Sequence, residues 1–200
     1  LWWFEGGTSW LGDLICLRCG AWSEKDWRKE WNKKIKRHLN RNGMHLESLN
    51  EASHDAWIHL YRPNAFARES RISYYLEGEL AMFCIDVELR HRSKGKNGLD
   101  DVMVKLYKNH KLNSKKPGIK YSDIRQTITS TPGGRRLGKM LDEMVQSHSI
   151  PNVNNAMKLL GLKHSEEKSE NEGWIGLVMK NQGGRLIVKN HIENSPCREI

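Results

Sequence analysis

The 200 residues are 38% hydrophobic and 28% charged and include eight tryptophans, which supports a packed core and excludes wholesale disorder. The formal net charge of +9 would suit nucleic acid, an anionic membrane surface or acidic partners. The excess is concentrated in 25–37 and 90–96, however, and no nucleic-acid-binding motif accompanies it. No apolar run approaches the ~20 residues of a membrane span, and Cys16, Cys19, Cys84 and Cys197 are too scattered for a disulfide scaffold.

Residues 8–18 read as a buried helix, with Trp10, Leu11, Leu14, Ile15 and Leu17 over much of its circumference. Gly20 is the expected stop. Ser23 can cap a second helix, down which Trp27, Trp31, Ile35 and Leu39 recur every four residues, with Asn42-Gly43 as its end. Its basic residues are expected to form a solvated face; the competing reading is a membrane-surface or acidic-partner helix. Residues 44–72 are less regular, and Trp57, Ile58, Leu60 and Tyr61 form an apolar knot before Arg62-Pro63. Ser73 opens the strongest helix, running to about Arg92, with Leu76, Leu80, Phe83 and Val87 on one stripe. Ala81, Met82 and Ile85 widen that stripe enough to imply burial on more than one side. Shorter helices follow at Leu99–Leu106, Ser122–Ser130, Arg135–Ser147 and from Pro151 to near Gly161. Residues 163–172 are polar and read as a linker. Beyond it, 174–180, Gly183-Gly184 and 186–192 read as strand, turn and strand, a unit too small to be stable alone.

Glu5 stands among Trp2, Trp3 and Phe4 just ahead of the first helix. A carboxylate there needs a cation, hydrogen bonds or a metal. Capping of the helix N-terminus and metal ligation both remain open on chemistry alone. Cys16-Leu17-Arg18-Cys19 has zinc-site spacing, but no second pair stands at a suitable distance, so both thiols are expected to pack in the core.

The run from Leu1 to Asp13, centred on Trp3-Phe4-Glu5-Gly6-Gly7-Thr8-Ser9-Trp10, resembles the third zinc-ligand segment of the glycyl aminopeptidases. These are gluzincin zinc metallopeptidases with a C-terminal PDZ domain. Ser48 to Ile58, Tyr61 to Asn64, Ile72 to Gly78, Asp86 to Arg90 and Gly98 to Met103 are similar to family segments in the same order. Gly173 to Leu177 and Ile187 to Pro196 look like the first part of the PDZ domain.

The resemblance implies a mainly α fold, the helical C-terminal part of a thermolysin-like catalytic domain, followed by a truncated PDZ-like β segment. It divides the chain at 1–162, 163–172 and 173–200 and implies a sequence opening at the third ligand motif, with more chain upstream; compartment is not legible. Glu5 matches the zinc-binding glutamate, and Asp13, eight residues on, is a candidate to support it. Tyr75, three residues before Gly78, matches the tyrosine that donates to the oxyanion in related aminopeptidases. Zinc is the implied cofactor, a peptide the implied substrate and a second peptide a candidate ligand of the PDZ-like segment.

The family's His-Glu-x-x-His is absent from these 200 residues, and Glu77 stands where the family usually has lysine. The fragment alone is therefore expected to be inactive. The competing readings are a non-catalytic peptide- or protein-binding module from a decayed peptidase and a basic nucleic-acid-binding protein.

Overall fold

The computed structural model describes residues 1–39, 46–63, 67–149, 151–163, 175–191 and 195–198. Its helices are α1 (Trp2–Arg18), α2 (Glu24–Leu39), α3 (Leu49–His54), α4 (Ala56–His59), α5 (Ala67–Ser70) and α6 (Tyr74–Arg92). They continue as α7 (Leu99–His110), α8 (Tyr121–Ser130), α9 (Leu137–Gln146) and α10 (Val153–Leu159). A hairpin of β1 (Leu177–Gln182) and β2 (Arg185–His191) follows. The fold is mainly helical with a small two-stranded sheet, as the periodicities imply.

The broad apolar stripe of α6 makes it the central helix, and every residue from Leu76 to Leu89 is buried. Ser73 caps it, its hydroxyl accepting from the Leu76 amide. Four of the buried residues are acids, which are costly inside a protein unless paired. Each has a named partner. Glu77 meets His38, Glu79 meets Lys34, and Glu88 meets Arg92 and Asn155. Asp86 accepts from the Trp10 indole at 3.1 Å and the Leu99 amide at 2.7 Å, and pairs with Arg90 at 3.0 Å. That one carboxylate ties α1, α6 and the start of α7 together.

Helix α1 begins at Trp2, earlier than its apolar pattern suggested, so Glu5 lies inside its first turn rather than ahead of it. Gly6 and Gly7 look like helix breakers in sequence. In the fold Gly6 faces Gly78 of α6, where a Cβ would come within 2.4 Å of the Gly78 carbonyl carbon. The missing side chains let the two backbones touch at the crossing, and packing offsets the glycines' poor helix propensity.

Trp10, Trp31 and Phe83 bring α1, α2 and α6 together, with ring centroids 4.4–5.4 Å apart. The buried row on α2 is Trp27, Trp31, Ile35 and His38; Leu39 is exposed. At about 100° per residue, a four-residue row drifts off its face. His38 falls about 20° past three turns from Trp27, whereas Leu39 lies about 120° off.

The other departures have similar causes. Leu11, Leu14 and Leu17 pack against the core, but Ile15 is exposed. Trp57, Ile58 and Tyr61 are exposed as well, and only Leu60 packs inward. Of the cysteines, Cys84 is buried, whereas Cys19 is exposed at the end of α1 and Cys16 is half-buried. Core packing is thus not what Cys19 does.

Helix α3 opens with a capping box: the Glu51 amide donates to Ser48 Oγ, and the Ser48 amide donates to the Glu51 carboxylate. The hairpin turns at Gly183 and Gly184, whose φ angles of 61° and 81° match a two-residue turn that glycine adopts freely. Gln182 pairs with Arg185 across it, and a bulge lies between Val178 and Met179. Asn42-Gly43, the linker from His164 and Trp174 lie outside the described residues. No described helix is long and apolar enough to cross a membrane.

Candidate active site

The Gly6–Gly78 crossing places two residues relative to each other. Glu5 directly precedes Gly6 on α1, and Tyr75 lies three residues before Gly78, in the first turn of α6. Both belong to the partly open side of the crossing: Glu5 is half-buried and Tyr75 is 36% exposed. Among the described residues the Glu5 carboxylate makes no side-chain hydrogen bond and no ion pair. Its charge acts on the Tyr61 and Tyr75 hydroxyls and on the Leu1 amino group.

Three phenols meet beside it. Tyr61 Oη lies 3.2 Å from Tyr75 Oη and 3.3 Å from Tyr74 Oη. The rings of Tyr74 and Tyr75 stack at 4.6 Å, and Tyr61 stacks on Trp57 at 4.9 Å. Tyr74 is buried, and burial first, then Tyr61, pushes its hydroxyl far up. Tyr61 is lowered, because Tyr74 and then Tyr75 can donate to its phenolate. Tyr75 is raised, chiefly through its bond to Tyr61, so it stays a neutral donor at pH 7. Phe4 on α1 and Trp57 on α4 are exposed apolar side chains.

Asp13 is not turned to Glu5. It lies eight residues along the same helix, about 12 Å away, and accepts from Lys34 Nζ at 2.5 Å. Lys34 also reaches Glu79 at 2.5 Å, so the three charges clamp α1, α2 and α6. Burial pushes the Glu79 carboxyl up to about 7, with Lys34 pulling the other way. The two carboxylates hold Lys34 above its ordinary value despite burial, which acts in the opposite sense.

Glu77 has a structural use. Its Oε2 lies 2.7 Å from His38 Nδ1, both side chains are almost fully buried, and its Oε1 has no partner. His38 did not stand out in the sequence, although its 11-residue spacing from Trp27 was an available signal. Tyr61 was marked as part of an apolar knot and a family-like segment, but nothing local pointed to its hydroxyl contacts, which lie 13 and 14 residues on.

A half-buried carboxylate without a partner suits a cation, and zinc accepts carboxylate oxygen. The residues present therefore fit one ligand position. A catalytic zinc takes three protein ligands, and among the described residues no group of three His, Cys, Asp or Glu could hold a metal ion.

The family model of the M61 glycyl aminopeptidases matches residues 1–81. The crystal structure of an aminopeptidase N family protein from Idiomarina loihiensis resembles this fold with a TM-score of 0.84 at 24% identity. The match covers 97% of this chain and 35% of that one, so the chain spans about a third of that protein's length. At this identity the likeness establishes the fold. No curated protein matches.

Proposed function

We propose that the chain is the helical C-terminal part, residues 1–162, of the catalytic domain of a zinc-dependent aminopeptidase. A linker at 163–172 would join it to the first part of a PDZ-like module at 173–200. The observation that carries this reading is the unpartnered Glu5 carboxylate, set by the Gly6–Gly78 crossing beside the partly exposed Tyr75 hydroxyl. The match of the M61 model to residues 1–81 supports it.

Glu5 is the third zinc ligand, and a His-Glu-x-x-His segment outside these residues supplies the other two. When bound, zinc polarises the scissile carbonyl and makes water acidic enough to attack at neutral pH. Tyr75 donates its hydroxyl hydrogen to the carbonyl oxygen as charge develops there, a bond that strengthens in the transition state. Asp13, Lys34 and Glu79 hold α1 against α2 and α6 and so keep Glu5 in place. The substrate is a peptide. With one candidate ligand, the 200-residue chain alone is expected to be inactive.

Lysine is usual at the position of Glu77 in the resembling family, and the reversal could suggest a decayed site. The burial of Glu77 against His38 gives the reversal a packing role away from the chemistry, which favours the catalytic reading. Steady-state kinetics of Tyr75→Phe in the full-length enzyme, with zinc content checked, test it. The ring stays and only the hydroxyl is lost, so kcat should fall by about 10²–10³-fold with KM nearly unchanged. A kcat within about threefold of the parent, far short of a donor's usual worth, rules the role out.

A further inference from the structure

Aromatic rings carry large apolar surfaces that are costly to leave in water, and two stand in the open beside the candidate site. Trp57 is 72% exposed and Tyr61 is 50% exposed. Trp57 lies on α4 and Tyr61 just past its end, four residues on, so both fall on one side of that turn of chain. Their rings stack at 4.9 Å with 25° between the planes. Stacking covers one face of each ring, and the remainder of the pair forms an apolar ledge open to solvent.

The ledge has a fixed position relative to the chemistry. Tyr61 Oη lies 3.2 Å from Tyr75 Oη. A carbonyl oxygen accepting from Tyr75 at an ordinary length of about 2.7 Å is therefore no more than about 6 Å from the Tyr61 hydroxyl. The Cα atoms on the two sides of a peptide bond are about 3.8 Å apart, so a side chain next to the scissile bond is long enough to reach these rings. Ring surface suits an apolar or aromatic side chain.

Charge then sets the direction of the peptide. Arg62 directly follows Tyr61, is exposed and makes no ion pair among the described residues. An aminopeptidase substrate carries an ammonium on the N-terminal side of the scissile bond, and a dipeptide carries a carboxylate on the other side. Arg62 repels the first and attracts the second. The C-terminal side of the peptide therefore lies over the ledge.

We infer that Trp57 and Tyr61 form a subsite for an apolar side chain on the residue that follows the scissile bond, with Arg62 favouring a nearby C-terminal carboxylate. This rests on the oxyanion role proposed for Tyr75, which fixes where the carbonyl sits. The substrates it favours are short peptides with a large apolar residue, aromatic above all, in second position.

Steady-state kinetics of the full-length enzyme on two dipeptides, alanyl-phenylalanine and alanyl-glycine, test it. The parent should favour phenylalanine in kcat/KM, and Trp57→Ala should cut that preference about tenfold, chiefly through KM, because an apolar contact binds ground and transition states alike. Arg62→Ala should raise KM for the dipeptide more than for its C-terminal amide. Ile58→Ala is the control: it removes an exposed neighbour turned about 100° away, and the preference should stay. A parent without preference, an equal loss on both dipeptides in Trp57→Ala, or the same change in Ile58→Ala overturns the subsite. A Trp57 effect that follows the first residue of the peptide instead of the second overturns the direction. Full kcat in Tyr75→Phe overturns the oxyanion reading and the subsite placed from it, whereas indifference of Trp57→Ala to the second residue overturns the subsite alone.

Discussion

Two glycines on α1 should respond to alanine in opposite directions. Gly6 and Gly12 both lie within α1, and alanine improves helix propensity at either by about 1 kcal/mol. At Gly12 the new methyl meets nothing within 4 Å, so Gly12→Ala should stabilise the protein by about 0.5–1 kcal/mol. At Gly6 it would stand 2.4 Å from the Gly78 carbonyl carbon and 2.7 Å from its Cα and oxygen, where ordinary contact is 3.4–4 Å. The obstruction is backbone and cannot rotate away, so the helices must part by about 1 Å. Overpacking of this kind costs about 1–3 kcal/mol. Taking the upper end and subtracting the propensity gain leaves Gly6→Ala less stable by about 2 kcal/mol. Urea unfolding followed by far-UV circular dichroism, at constant m, measures both. If Gly6→Ala raised the midpoint as Gly12→Ala does, the crossing would not be tight, and the argument that it sets Glu5 against Tyr75 would fail.

Two buried charge sites give further predictions. His38→Ala strands the Glu77 carboxylate in the core and should cost about 3–5 kcal/mol, whereas replacing both residues with leucine should recover most of it; additive losses in a double-mutant cycle would show that the two do not act as a pair. The Glu79 carboxyl, pushed up by burial to about 7 from an ordinary 4.5, binds its proton more tightly in the folded state. Its contribution is full below pH 4.5 and is lost as pH rises through 7, on the order of 3 kcal/mol in all. Glu79→Gln should flatten that part of the stability–pH curve, and an unchanged slope between pH 4.5 and 7.5 would contradict the assignment.

What could be read from the sequence was set by how local each cause is. The stripe on α6 and its Ser73 cap are local patterns, as is the Gly183-Gly184 turn, and each appears in the fold where the pattern put it. The start of α1 was not legible, because Gly6 is helical only through Gly78, 72 residues away. A four-residue row pointed to Leu39, but the true helical pitch brings His38 inward to meet Glu77. Lys34 reads as one of many basic residues on α2, and only the fold turns it inward between Asp13 and Glu79. Glu5 and Tyr75 were singled out through family resemblance; Tyr61 stood in an apolar knot and a family-like segment, but a hydroxyl cluster leaves no periodic trace to mark what its hydroxyl meets.

Zinc content of the full-length protein carrying Glu5→Gln, measured by inductively coupled plasma mass spectrometry after gel filtration, tests the central claim most directly. Gln keeps the shape of Glu5 and removes its charge, so α1 and its crossing should persist. If Glu5 is the third ligand, the parent retains stoichiometric zinc and the variant loses most of it, with unfolding of the metal-free forms unchanged. A folded Glu5→Gln variant with full zinc would show that the ligand lies elsewhere.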